Sequence, residues 1–136
     1  MTSYEILKKL AQVPEAEVLE IKSPIAPDIR MFDNKKDYLN TLQEGIDSIK
    51  QYFNAVIDHV TGSVLAKEKY KGEISLYQNE ITKLDASRKL KHDAAIGQCN
   101  MINRLCDMLN IEHFCDVDTQ DRHAVNAFMY KFCMDI

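Results

Sequence analysis

Residues 39–60, LNTLQEGIDSIKQYFNAVIDHV, decide the fold because apolar side chains recur there at alternating steps of three and four. That spacing places them on one face of an α-helix, which repeats every ~3.6 residues. Asp33 and Asn34 stand just before this stretch and can cap its first turn. The pattern predicts a long amphipathic helix with the inward positions Leu39, Leu42, Ile46, Ile49, Phe53, Val56 and Val60.

The same register continues without a break through Lys67 and on to Leu109. A single straight helix of this length would reach about 100 Å at ~1.5 Å per residue, which is too long for so small a chain to pack. We therefore predict an antiparallel helical hairpin over residues 34–109. Its turn should lie between 61 and 73, where Gly62 and Gly72 lower the helix propensity.

Shorter helices are predicted on either side of the hairpin. Residues 1–33 carry three prolines, so we expect one short helix followed by an extended strap. Residues 110–136 begin with a usual helix stop, Asn110, and the aspartates of segment 118–121 can cap a last helix. The fold class is therefore all-α, one domain over 1–136. The apolar edges of a thin hairpin favour completion of the bundle by homo-oligomerisation.

Composition excludes several classes of function. The chain has 136 residues, 46% of them hydrophobic and 28% charged, which is typical of a globular protein. A net charge of -4 argues against extended nucleic-acid binding. No apolar run is long enough to span a membrane and no signal-peptide pattern opens the chain, so we expect a cytoplasmic protein. The four cysteines form no Cys-x-x-Cys pair, and we expect no metal or cofactor.

Around Arg88, charged groups occupy a helical face that should be apolar. Two interpretations remain open. In the structural one, Arg88 pairs with a carboxylate of a neighbouring helix and His92 bonds to a backbone carbonyl. In the other, guanidinium and imidazole groups bind a small anion such as a phosphate or carboxylate. The predicted ligand-binding residues are Arg88, Lys91, His92, Asn100, Asn103 and Arg104, with Arg122 and His123 as outer candidates.

Residues 88–130 also carry a resemblance to a known family. It rests on the run Arg88-x-x-x-His92-Asp93-Ala94-Ala95-Ile96, on Asn100 and Asn103-Arg104-Leu105, and on Asp116-x-Asp118-Thr119-x-Asp121-Arg122-His123-Ala124-Val125. This pattern resembles the core of a small family of uncharacterised bacterial and phage proteins with a domain of unknown function. The resemblance implies a shared helical core and a shared polar site. By analogy with small helical proteins that sequester nucleotide immune signals, it favours a nucleotide as the anion.

Histidines and aspartates suggest a catalytic alternative. His59, the pair His92-Asp93 and an aspartate of segment 116–118 follow the order found in helical metal-dependent phosphohydrolases, where they hold a metal that activates water. Lys91 next to this pair disfavours a dication. The sequence also lacks a Gly-x-Ser-x-Gly elbow and a Gly-rich phosphate loop, so we expect no catalytic residues.

These observations predict a non-catalytic helical protein that binds a small anionic ligand, with a nucleotide as the first candidate, in a regulatory or sequestering role. The first alternative is a protein-interaction or inhibitory module that acts on a host protein through the hairpin. The second is the phosphohydrolase. Replacing Arg88 separates the first two: a structural residue changes stability or assembly, whereas a ligand group changes binding in a folded protein.

Overall fold

A computed structural model describes residues 1–136 and is all-α, which confirms the predicted fold class. Its five helices are α1 (Ser3–Ala11), α2 (Glu15–Val18), α3 (Lys35–Lys69), α4 (Ile74–Met108) and α5 (Arg122–Asp135). The only β-type pairing is an isolated bridge between Lys22 and Arg30. None of the five helices combines the length and the apolar character needed to cross a membrane.

Helices α3 and α4 form the predicted hairpin, since they pack against each other along their lengths. The turn lies at residues 70–73, within the predicted interval. Gly72 has a φ of 81°, a left-handed conformation that side chains disfavour. Gly62, the other candidate for the turn, lies inside α3. At Gly45 the two helices approach so closely that an added Cβ would lie 2.5 Å from Cδ1 of Ile102.

Two of the predicted inward positions of α3, Leu39 and Val60, are wrong. Leu39 and Val60 are 38% and 60% exposed, whereas Tyr38 and Tyr52 are buried. The apolar stripe of α3 is wide because this helix contacts α1, α2 and α5 as well as α4, and α5 covers one of its flanks. Phe53 lies on that flank and packs against Tyr130 of α5, with ring centroids 5.8 Å apart. Beyond this crossing, the flank is open to solvent.

The N-terminal strap is ordered and packs onto the hairpin, although it folds back on itself instead of running extended. Ser23 donates its backbone N–H to the carbonyl of Ile29 at 2.9 Å, which closes a loop around the last two prolines. The Tyr38 hydroxyl donates to the carbonyl of Leu10 at 2.6 Å and so joins α1 to α3. The resulting core of buried apolar residues includes members of all five helices.

The two predicted helix boundaries near the C-terminus are confirmed. Asn110 has a φ of 57°, and the N–H of Ile111 returns to the carbonyl of Cys106 at 2.8 Å, which is a Schellman end to α4. Asp121 caps α5 by accepting from two backbone N–H groups of its first turn. Asp118 accepts from the N–H of Gln120 at 2.9 Å and shapes the loop before the cap.

Candidate functional site

A cavity of about 420 Å³ lies where the middle of the hairpin meets the loop before α5. Helix α3 supplies one of its residues, α4 supplies five, and the loop with the first turn of α5 supplies three. Eight of the nine are polar or charged. They are Tyr52, Asp85, Arg88, Lys89, His92, Asp93, Thr119, Gln120 and Arg122.

Three cationic side chains line this cavity without an ion-pair partner. Arg88 and Lys89 come from α4, and Arg122 begins α5. None of the three takes part in a salt bridge or in a side-chain hydrogen bond within the protein. The structural interpretation of Arg88 requires a carboxylate partner on a neighbouring helix, and the structure has none. The cavity therefore presents three unpaired cations against two carboxylates, an excess of one positive charge.

Both carboxylates of the cavity are held by histidines. His59 of α3 bonds to Oδ1 of Asp85 across the hairpin. Nδ1 of His92 lies 3.2 Å from Oδ1 of Asp93, its neighbour in sequence. Each carboxylate is thus oriented through one oxygen, and its Oδ2 atom makes no hydrogen bond within the protein.

Tyr52 forms the floor of the cavity and is only 1% exposed. Its hydroxyl donates to Oδ1 of Asn126 on α5, and its ring meets the ring of His92 edge-on at a centroid distance of 5.2 Å. Burial raises the pKa of the Tyr52 hydroxyl, and the positive charge of Arg122 partly offsets that rise. Tyr52 therefore ties α3, α4 and α5 together at the point where the cations converge.

A family model described as "Protein of unknown function (DUF3232)" matches residues 18–129. The chain belongs to the DUF3232 family. The match is longer than the resemblance over 88–130, and it contains every residue that lines the cavity. A comparison with curated proteins and a comparison with solved structures each gave no match.

Three of the eight predicted ligand-binding residues meet at the cavity of this DUF3232 protein: Arg88, His92 and Arg122. The other five lie elsewhere. Lys91 donates from Nζ to Oε1 of Gln51 at 3.2 Å across the hairpin. Asn100, Arg104 and His123 are exposed and do not line the cavity.

Asn103 is the fifth of these residues, and the protein backbone occupies its side chain. Its Nδ2 donates to the carbonyl of Cys115 at 2.8 Å, and its Oδ1 accepts from the N–H of the same residue at 3.0 Å. This paired contact fastens the loop after α4 to the helix, one turn from Cys99. Asn103 thus positions the loop that carries Thr119 and Gln120 towards the cavity. Asn103 itself is not part of the proposed site.

The sequence analysis missed several residues of the cavity. Asp85 lies three residues before Arg88, so helical spacing around that arginine was a usable signal for it. Lys89 follows Arg88 directly, a spacing that does not place two side chains on one helical face. Thr119 and Gln120 gave no signal, because their position depends on how the loop folds.

Metal ligation is not supported by the arrangement of side chains. No group of three or more histidine, cysteine, aspartate or glutamate residues is placed to hold a metal ion. His59 and His92 instead each pair with a different aspartate. These residues do not fit the ligand set of a metal-dependent phosphohydrolase, and we derive no catalytic step from them.

Proposed function

We propose that this DUF3232 protein binds a small anionic ligand, such as a phosphate-bearing nucleotide, without catalysing a reaction. The observation that carries the proposal is the convergence of Arg88, Lys89 and Arg122 on one cavity with no ion-pair partner among them. They come from two different helices, α4 and α5, and the loop between these helices brings the charges together.

An anion would relieve an unfavourable arrangement. Like charges on one concave surface repel each other, and the walls of a cavity weaken the screening by water. A phosphate or carboxylate would replace that repulsion with charge-assisted hydrogen bonds, and a guanidinium can make two of these side by side.

The proposal includes a location and a biological role. The protein would act in the cytoplasm, that of the host if a phage encodes it, and would regulate or sequester its ligand. Such a role needs affinity and no chemical step.

Ligand-dependent stabilisation tests the proposal. Purified protein is heated with inorganic phosphate, AMP and a cyclic dinucleotide, and binding adds about 2.7 kcal/mol of stability when the ligand stands at ~100 times its Kd. We expect a rise in Tm that Arg88→Ala and Arg122→Ala each abolish while remaining folded. Arg104→Ala is the matched control, because Arg104 is an exposed arginine of the same helix outside the cavity. Absence of any shift, or equal losses in all three variants, would refute the proposal.

A protein-interaction role is the second candidate, and one exposed face favours it. Ile57, Val60 and Val64 share a face of α3 at helical spacing and are 46%, 60% and 65% exposed. They continue the flank that α5 covers at Phe53. A partner helix, from a second copy or from a host protein, would bury this row. Sedimentation of the wild type and of Val60→Lys tests it: a larger species that the variant loses supports self-association, and monomers in both redirect the search to a host protein.

A further inference from the structure

We infer that this cavity recognises a compact phosphorylated polyol of the sugar-phosphate class, either free or as the sugar-phosphate part of a nucleotide, and that it stacks no nucleobase. This inference rests on the proposed function, because it narrows the class of anion that the same cavity binds. Three features of the lining carry it: charges of both signs, the number of cations, and the lack of an exposed aromatic face.

The lining offers acceptors as well as cations. Asp85 and Asp93 stand among the three basic side chains, and each is fixed by a histidine through Oδ1. Their Oδ2 atoms are free to accept hydrogen bonds. A bare anion would find these carboxylates repulsive, whereas a ligand with hydroxyl groups would donate to them. Thr119 and Gln120 add neutral polar groups on the opposite wall. The ligand should therefore combine a negative group with several hydroxyls.

The number of cations favours phosphate over carboxylate. One guanidinium is enough to bind both oxygens of a carboxylate. Here two guanidinium groups and the ammonium of Lys89 line one cavity, which matches the three outer oxygens and the near-double charge of a phosphate monoester. With two carboxylates against three cations, these five residues of the lining carry one net positive charge.

A nucleobase would find no platform in this cavity. Bases bind proteins by stacking on aromatic faces or guanidinium planes, and one base stacked on an aromatic face strengthens binding by roughly five- to 150-fold. Here both guanidinium groups are assigned to the phosphate, so only an aromatic face could hold a base. Tyr52 is the only apolar lining residue, and it is 1% exposed. The His92 ring leans on Tyr52, which leaves 24% of the side chain exposed. The volume of about 420 Å³ also suits a compact ligand.

Calorimetric titration with three probes tests the inference: inorganic phosphate, ribose 5-phosphate and AMP. If hydroxyls donate to the two carboxylates, ribose 5-phosphate should bind about tenfold more tightly than inorganic phosphate, the value of two modest hydrogen bonds. AMP should bind within about threefold of ribose 5-phosphate, because its base gains no stacking partner.

A carboxylate variant sharpens the test. Asp93→Ala should reduce the preference for ribose 5-phosphate over inorganic phosphate to about threefold, because one acceptor is lost while the cations remain. Asp58→Ala is the matched control, since Asp58 is exposed on α3 and lies outside the cavity. Its preference should equal that of the wild type.

The possible results separate the two claims. If inorganic phosphate, ribose 5-phosphate and AMP all fail to bind, the proposed function falls and this inference with it. If AMP binds more than about tenfold more tightly than ribose 5-phosphate, the anion site stands and the sugar-phosphate class is overturned. Equal affinity for ribose 5-phosphate and inorganic phosphate, or a preference that Asp93→Ala leaves unchanged, also overturns it.

Discussion

Replacing Asn103 by alanine is the sharpest test of how the cavity is built. The change removes both hydrogen bonds between this side chain and the backbone of Cys115, which is buried. An unsatisfied backbone N–H or C=O costs about 1–3 kcal/mol, so the loss of both bonds should lower the free energy of unfolding by about 2–6 kcal/mol. Asn100→Ala is the control on the same helix, because Asn100 is exposed and makes no side-chain hydrogen bond. It should change stability by less than about 0.5 kcal/mol.

Urea unfolding followed by circular dichroism measures both variants, and the midpoint gives the change in stability when the slope is unchanged. Thermal unfolding provides a second measure, with a fall in Tm of roughly 10 °C expected for Asn103→Ala in a chain of this size. If Asn103→Ala proves as stable as the wild type but loses ligand, the side chain contacts ligand and our structural assignment is wrong. If the variant is unstable and retains affinity at low temperature, Asn103 acts only by anchoring the loop.

Three further predictions concern the core. Gly45→Ala should cost about 1–2 kcal/mol in a urea titration, because the close contact with Ile102 outweighs the gain in helix propensity, and a more stable variant would contradict this. Burial raises the pKa of Tyr38 above its usual 10.0, so the unfolded chain loses the hydroxyl proton at a lower pH than the folded protein does. The contribution of Tyr38 to the free energy of unfolding should therefore be constant below pH ~10 and fall by about 1.4 kcal/mol per pH unit above it. The variant Tyr38→Phe should show a smaller slope. Cys133 is half-buried and the other three cysteines are buried. A thiol reagent should therefore modify one cysteine in the native protein and four in denaturant. Rapid modification of all four in the native protein would contradict the packing.

The hairpin can be predicted because its signal is local and repeated. Steps of three and four over some seventy residues specify a helix, and Gly72 marks a place where it can turn. The spacing does not predict which of two neighbouring apolar residues of α3 points into the core. Leu39 and Tyr38 are adjacent and both apolar, and tertiary contacts decide which of them is buried: Tyr38 bonds to Leu10 of α1 and packs on Phe32.

Some residues of the candidate site can likewise be predicted from local spacing, whereas others depend on tertiary packing. Arg88 and His92 stand out because charge interrupts an apolar stripe, and the structure places them together. Asn103 stands out as a neutral polar residue at the edge of that stripe, yet its amide bonds to the backbone of Cys115. A polar residue on an inward helical face can meet a ligand or a loop, and spacing alone does not distinguish them. Arg122 reaches the cavity only because the loop before α5 returns to α4.

The hairpin has few buried residues beyond its crossing with α5. The molecule therefore has two regions of different local stability: the turn end of the hairpin, and the core at its other end. Between residues 57 and 94, Ala66 is the only buried residue, whereas the rest of the core lies at the other end of both helices. Such a region should open by sub-global unfolding well before the core does, and its amide protons should exchange with solvent first. The cavity lies at the border between the two, with Arg88 on the side that opens and Arg122 anchored to the core. A ligand bound to both arginines would therefore stop local unfolding at the turn end of the hairpin from extending towards α5.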